Sequence, residues 1–170
     1  MRRVLVIGAP GSGKTTLSTR LAAKLGVPVH YLDHHHWLPG WQYRDDADAR
    51  ERVREIADTP AWVMDGNFSD TFDLRMPRAD SLIWLDYPRA TCIRRVLVRA
   101  ARDYGRSKPD LPEGCPEQFD AKLLRFVWDF PSKHRPEIPK AIAQYGTHLN
   151  VVRLADDRGV AEFLHTAEAA

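Results

Sequence analysis

The sequence predicts an α/β fold, a parallel sheet flanked by helices, on three observations. The first is Gly8-Ala9-Pro10-Gly11-Ser12-Gly13-Lys14-Thr15, which satisfies G-x-x-x-x-G-K-[ST] at every fixed position. The second is its setting. Arg3-Val4-Leu5-Val6-Ile7 reads as a buried parallel strand, and Thr16 to Leu25 reads as an amphipathic helix closed by Gly26. The third is that apolar runs and helical patterns go on alternating along the chain, which is how parallel sheets are built.

The motif carries its own chemistry. Its glycines let backbone N–H groups turn onto a phosphate, and the helix that follows aims its positive end at the same anion. Thr16 continues that helix start. Lys14 is expected to bridge β- and γ-phosphate oxygens, and the Thr15 hydroxyl to reach Mg2+.

The 170 residues fit one domain with a full core, and the formal charge of +2 is too small for a dedicated nucleic-acid binder. Cys92 and Cys115 stand far apart, outside any C-x-x-C spacing, which argues against a disulfide framework or zinc site. No apolar run reaches the ~20 residues of a membrane span. Because the chain opens on its first strand, no signal peptide is expected, and a cytoplasmic protein is.

Val27 to Leu32 reads as the second strand and ends at Asp33, where ligands of open α/β sheets gather. Asp33 is therefore expected to orient or deprotonate an acceptor hydroxyl, or to hold a magnesium-bound water. His34-His35-His36 follow. Adjacent residues point apart, so the run suits pocket lining, His35 included, better than a metal site. Trp37 and Trp41, around Pro39-Gly40, read either as an aromatic wall of an acceptor region at about 33–60 or as core cover. Arg44 to Asp58 reads as a charged surface helix.

Ala61 to Met64 is the third strand, ending at Asp65-Gly66-Asn67-Phe68. An acid at this place suits magnesium. Gly66 admits a close substrate, Asn67 offers a hydrogen bond to the acceptor, and Arg75 or Arg78 offers a charge to an anionic one. Ser81 to Leu85 is the fourth strand. The helix after Pro88 carries Arg95, Arg99 and Arg102 on one face, with no acids in that row, a placement suited to phosphoryl-transfer charge. Residues 104–119, broken by Gly105, Pro109, Pro112, Gly114 and Pro116, read as a lid that excludes water. Helices over 117–130 and about 133–145, with a break at Pro131-Ser132, precede a fifth strand at 148–154 and a last helix at about 158–166. Arg125 stands on the first of these helices, positioned to swing onto the phosphates. The loop 155–157 is expected near a bound base.

The phosphate loop, the Asp-Gly-Asn after the third strand, and Leu85-Asp86-Tyr87-Pro88 with its arginine helix resemble the adenylate-kinase-related branch of the P-loop kinases. More narrowly the chain is similar to bacterial adenylate-kinase-like and DNA topology modulation (FlaR-like) proteins. The resemblance implies five parallel strands in the order 2-3-1-4-5 and ATP on residues Gly8 to Thr16. It pairs Arg95 and Arg99 with lid-helix arginines, Arg125 more loosely with an arginine from across the lid, and Asp65 with the aspartate behind magnesium. Adenylate kinases continue that aspartate as Gly-Phe-Pro-Arg, the arginine gripping a monophosphate; here Gly66-Asn67-Phe68-Ser69 has none, so the acceptor need not be AMP. Asp33 resembles the acceptor aspartate of shikimate- and gluconate-type kinases. The expectation is an ATP- and Mg2+-dependent small-molecule kinase, monomeric or homodimeric, whose acceptor is nucleotide-like or a hydroxyl-bearing metabolite, with Asp33 pointing to a neutral hydroxyl. The rivals are a regulatory ATPase or GTPase, though no Asn-Lys-x-Asp-like signature is present, and a DNA effector, whose binding would fall steeply with salt.

Overall fold

The computed structural model describes residues 1–108 and 110–167. Five strands, β1 (Arg3–Gly8), β2 (Val29–Tyr31), β5 (Trp62–Asp65), β6 (Ser81–Leu85) and β7 (Asn150–Leu154), form a parallel sheet in the order β2-β5-β1-β6-β7. Counted along the sheet strands alone this is 2-3-1-4-5, as the resemblance implies. Two further strands, β3 (Trp37–Leu38) and β4 (Gln42–Tyr43), make a separate antiparallel hairpin.

Alternation along β1 explains why it sits in the middle. Val4 and Val6 pack into one core cluster with Leu17 and Leu21, while Leu5 and Ile7 pack into another with Trp62 and Met64. A strand apolar on both faces belongs inside a covered parallel sheet. Each of these fully buried aliphatic side chains contributes about 1.5–3 kcal/mol. Helices α1 (Lys14–Leu25) and α8 (Asp157–Thr166) cover the first face. The other face is covered by α3 (Asp46–Ala57), α5 (Arg89–Asp103), α6 (Ala121–Lys133) and α7 (Glu137–Tyr145).

Register then places the chemistry. Val6 pairs with Asp65, and Gly8 with Leu85, so the carboxyl ends of β1, β5 and β6 meet at one edge. The phosphate loop leaves β1 at that edge. Gly8 has φ +151 and a Cβ there would sit 2.4 Å from the Leu85 carbonyl oxygen; Gly11 has φ +81 and a Cβ would meet the Cys92 carbonyl oxygen at 2.4 Å. Both the backbone conformation and the space demand glycine.

Some element bounds differ from the sequence reading. β2 is only Val29–Tyr31, because Asp33 to His36 turn into a one-turn helix, α2. α6 starts later, capped by the Asp120 side chain on the Lys122 N–H at 2.7 Å, and runs through Pro131 to Lys133. The proline falls in the last turns, where the bond its missing N–H would make is one of few left to lose. A further turn, α4 (Phe72–Arg75), was not expected at all.

Candidate active site

The phosphate loop, α5, the hairpin and α6 border one cleft of about 1490 Å3. Pro10, Gly11, Gly13, Lys14, Thr15 and Thr16 line it, whereas Gly8, Ala9 and Ser12 lie beneath. α1 starts at Lys14 after Gly13, whose φ of 96 turns the chain into the helix. The Lys14 ammonium donates to the Gly8 carbonyl at 3.0 Å and the Ala9 carbonyl at 3.2 Å. Burial pulls its pKa below the ordinary lysine value, against the opposing fields of Asp65 and Asp33. A desolvated ammonium in a Gly-rich loop is a strong anion partner.

Asp65, at the end of β5, is 6% exposed. Burial pushes its carboxyl up to about 6, while the Lys14 charge and the Thr15 hydroxyl hold it down. Its Oδ1 is buried without a hydrogen-bond partner. An orphaned carboxylate oxygen beside a threonine hydroxyl is a donor set that suits a hard divalent cation, and the residues present therefore fit magnesium. Asp33 lines the same cleft from the first turn of α2. Burial raises its carboxyl above the usual range, and Lys14 opposes that most strongly.

The arginine row faces the cleft through Arg94, Arg95, Arg99 and Arg102. It does have acidic partners, brought from elsewhere in the chain. Arg95 Nη2 donates to both carboxylate oxygens of Asp157, at 2.8 and 2.7 Å, and the guanidinium stands over the Tyr87 ring at 4.8 Å. Glu117, itself buried, takes Arg99 at 2.9 Å. Arg125 does not join them: its side chain is 83% exposed, beside Asp129 on its own helix.

Other expected site residues are placed differently from the sequence reading. Asn67 turns to the phosphate loop, accepting from the Gly8 N–H at 2.9 Å and donating to the Gly8 carbonyl at 2.8 Å. It buttresses the loop, though its residue also borders the cleft along with Gly66. Arg75 is fully buried. Its guanidinium donates to the carbonyls of Gly66, Asn67 and Phe68 and to the Thr71 hydroxyl, so it is not available to an anionic acceptor. Burial pulls it down to about 9. Arg75→Met should destabilise the fold by about 1–3 kcal/mol, since it leaves these carbonyls unpaired; chemical denaturation reads this directly. Arg78 likewise turns to Asp58 and the Leu74 carbonyl.

Trp37 and Trp41 both line the cleft and meet edge to face, 5.5 Å apart at 79°, with Tyr43 4.0 Å from Trp37. His35 does not line it. His36 is buried, stacked on Phe68 at 3.4 Å, with Nδ1 2.9 Å from the Leu32 carbonyl. Trp41 (φ 58) and Phe68 (φ 32), the positive-φ non-glycine residues among those described, both border the cleft. Such conformations cost energy and cluster where sites are built.

The 104–119 segment is fastened at two places; Pro109, one of its expected breakers, lies outside the described residues. Gly105 and Arg106 exchange backbone bonds with Glu117 at 2.8 and 2.9 Å, closing its neck. The stretch just before Glu117 grips the hairpin. The Gly40 N–H donates to the Gly114 carbonyl at 2.9 Å, Trp41 Nε1 to the Pro116 carbonyl at 3.2 Å, and the buried Cys115 thiol to the Leu38 carbonyl at 3.2 Å. Asp70 and Tyr43 escaped the sequence reading, and so did the pairing of Asp157 with Arg95. Nothing local marks them: Tyr43 gains its place from the short hairpin, and Asp157 from Arg95, 62 positions away.

Known proteins agree with this architecture. Shikimate kinase from Bacteroides thetaiotaomicron is similar at 23% identity, over 96% of this chain and 94% of that one, with a TM-score of 0.54. Shikimate kinase from Acinetobacter baumannii, in complex with shikimate, is similar at 15% identity, over 97% and 89%, with a TM-score of 0.62. At these identities the likeness is one of fold. No curated protein matches the chain. The family model described as "AAA domain" matches residues 4–123, which take in β1, the phosphate loop, Asp65 and the arginine helix. With well over half of its length matched, the chain belongs to the AAA domain family.

Proposed function

We propose that this protein is an ATP- and Mg2+-dependent phosphotransferase that moves the γ-phosphoryl group to a small-molecule hydroxyl acceptor. The observation that carries the reading is the convergence of Lys14, Thr15, Asp65 and Asp33 on one cleft. Lys14 and the loop amides hold the phosphates. Thr15 and Asp65 would hold magnesium, which neutralises phosphate charge when bound. Asp33 orients the acceptor hydroxyl and takes its proton. Arg95 and Arg99 leave Asp157 and Glu117 to meet the charge spread over the transferred group. Residues 104–119 act as the lid, and residues at about 33–60 supply the acceptor side.

The fold shared with two shikimate kinases, one of them bound to shikimate, supports a small-molecule acceptor. The narrower adenylate-kinase-like and FlaR-like resemblance belongs to the same proposal. Arg75 and Arg78, the two candidates to replace the arginine that grips a monophosphate, are both engaged elsewhere, and AMP is not the acceptor we favour. Both cysteines are buried and unlinked, in keeping with a cytoplasmic protein. Among the described residues no helix is long and apolar enough to cross a membrane.

The test is ADP formation with and without a library of hydroxyl compounds. Acceptor-dependent ADP is expected, and Asp33→Asn should lower it by about 100- to 10,000-fold while ATP still binds. ADP formed at one rate whatever is added would instead identify an ATPase.

A further inference from the structure

The phosphate end of the cleft and its acceptor wall carry opposite charge. The wall comes from residues 31–43 and 65–72, which place Asp33, Asp65 and Asp70 on the cleft and contain no lysine or arginine of their own. The cation facing Asp33 is Lys14 of the phosphate loop, and Arg50 and Arg75 approach Asp70 from outside the cleft lining. The basic side chains nearest in sequence are already committed. Arg75 is spent on carbonyls, Arg44 pairs with Asp48 at 2.8 Å, and Arg50 pairs with Asp73 at 2.7 Å. Two neighbouring histidines are biased toward the neutral form: burial and the neighbouring histidines pull His35 down to about 4, and burial lowers His36.

The cations that do line the cleft stand on other elements. Lys14, Arg95 and Arg99 surround the phosphate loop, and Arg102 and Lys108 both grip Asp103. Arg20, Arg94 and Lys122 project from α1, α5 and α6. Tyr43, in β4 and 4.0 Å from Trp37, lines the same cleft as Asp33 and Asp70, and burial together with the nearby acidic charges pushes its hydroxyl up. Trp37 and Trp41 complete this aromatic surface, and their faces attract apolar rings and ammonium groups while offering nothing to an anion.

Resting on the phosphotransferase reading, we infer that the acceptor is a hydroxyl compound without carboxylate or phosphate, uncharged or amine-bearing where it meets Trp37, Trp41, Asp33 and Asp70. A carboxylate acceptor such as the shikimate bound in the similar Acinetobacter structure would meet Asp33 and Asp70 on this wall, where the cations near them are already held, Lys14 by the phosphate-loop carbonyls, Arg50 by Asp73 and Arg75 by backbone carbonyls. The discrimination comes from like-charge rejection as much as from attraction.

Two measurements separate this inference from the reading beneath it. In a Trp128→Phe background the quenchable tryptophans are Trp37 and Trp41, because Trp62 and Trp84 are buried. Caesium and iodide quenching, each normalised to free N-acetyltryptophanamide, should favour caesium several-fold, and Asp70→Asn should bring the ratio toward one. Iodide quenching equal to or above caesium overturns the inference, and needs no turnover to do so. ADP formation is then followed with acceptors grouped as polyols, amino alcohols, hydroxy acids and nucleoside monophosphates. Turnover with the first two groups supports the inference. Turnover confined to the acids and monophosphates overturns it and leaves the kinase reading standing. No turnover with any group, alongside caesium-favoured quenching, overturns the kinase reading while the charge preference of the wall holds.

Discussion

Lys14→Met is expected to lower ATP-dependent turnover by at least about 100- to 1,000-fold, the loss seen when one preorganised charge or donor is taken from a developing anion. The ammonium sits among the Gly8 and Ala9 carbonyls, desolvated and with its pKa drawn down by burial, so a phosphate is the partner that repays its position. Methionine keeps the length and removes the charge. The fold should survive, because two hydrogen bonds are lost while a desolvated charge disappears, and far-UV circular dichroism checks this. A second consequence is specific to this site. Lys14 helps hold the Asp65 carboxyl down. Without it Asp65 rises further, and the acid limb of residual activity should move to higher pH.

Asp65→Asn is expected to push stability and activity in opposite directions. The carboxyl is raised by burial from 3.8 to about 6. Between those values the folded chain binds more protons than the unfolded chain, so stability falls as pH rises through that window and stays reduced above it. Two units correspond to up to roughly 3 kcal/mol. An amide of the same shape removes that cost, so the ligand-free variant should melt higher than the native protein at neutral pH and match it at pH about 4. Turnover should collapse, because the amide gives up the charge that suits magnesium. In the native protein activity should fall as pH drops through about 6, as Asp65 takes up its proton. Paired melting curves and rates across this range check both halves. A variant that is both less stable and fully active would reverse the assignment.

The middle of the sheet was legible because β1, β5 and β6 are buried on both faces, which sequence shows as short unbroken runs ended by Gly or Asp. Ser81 to Leu85 was read to the residue. The hairpin was not legible. Its strands are two residues each, and what fixes it is a set of donors and acceptors at Gly114 to Pro116, more than seventy positions away. The arginine face could be read from four- and three-residue spacing, but its partners Asp157 and Glu117 could not, since spacing along a helix says nothing of what folds against it. Arg75 marks the limit most clearly. Its distance from Asp65 made it look free to meet a substrate. The turn at Phe68, in a left-handed conformation, aims three carbonyls inward, and only a buried guanidinium satisfies them together.

The central claim is that the cleft delivers a phosphoryl group from ATP to a carbon-bound hydroxyl. Phosphorus NMR of the protein with Mg-ATP and a pool of non-acidic hydroxyl metabolites tests it most directly. A phosphomonoester resonance should grow as the γ-phosphate signal fades, and should vanish with Lys14→Met. Inorganic phosphate appearing alone, or a γ-phosphate signal that decays equally in the Lys14→Met variant, would contradict the account.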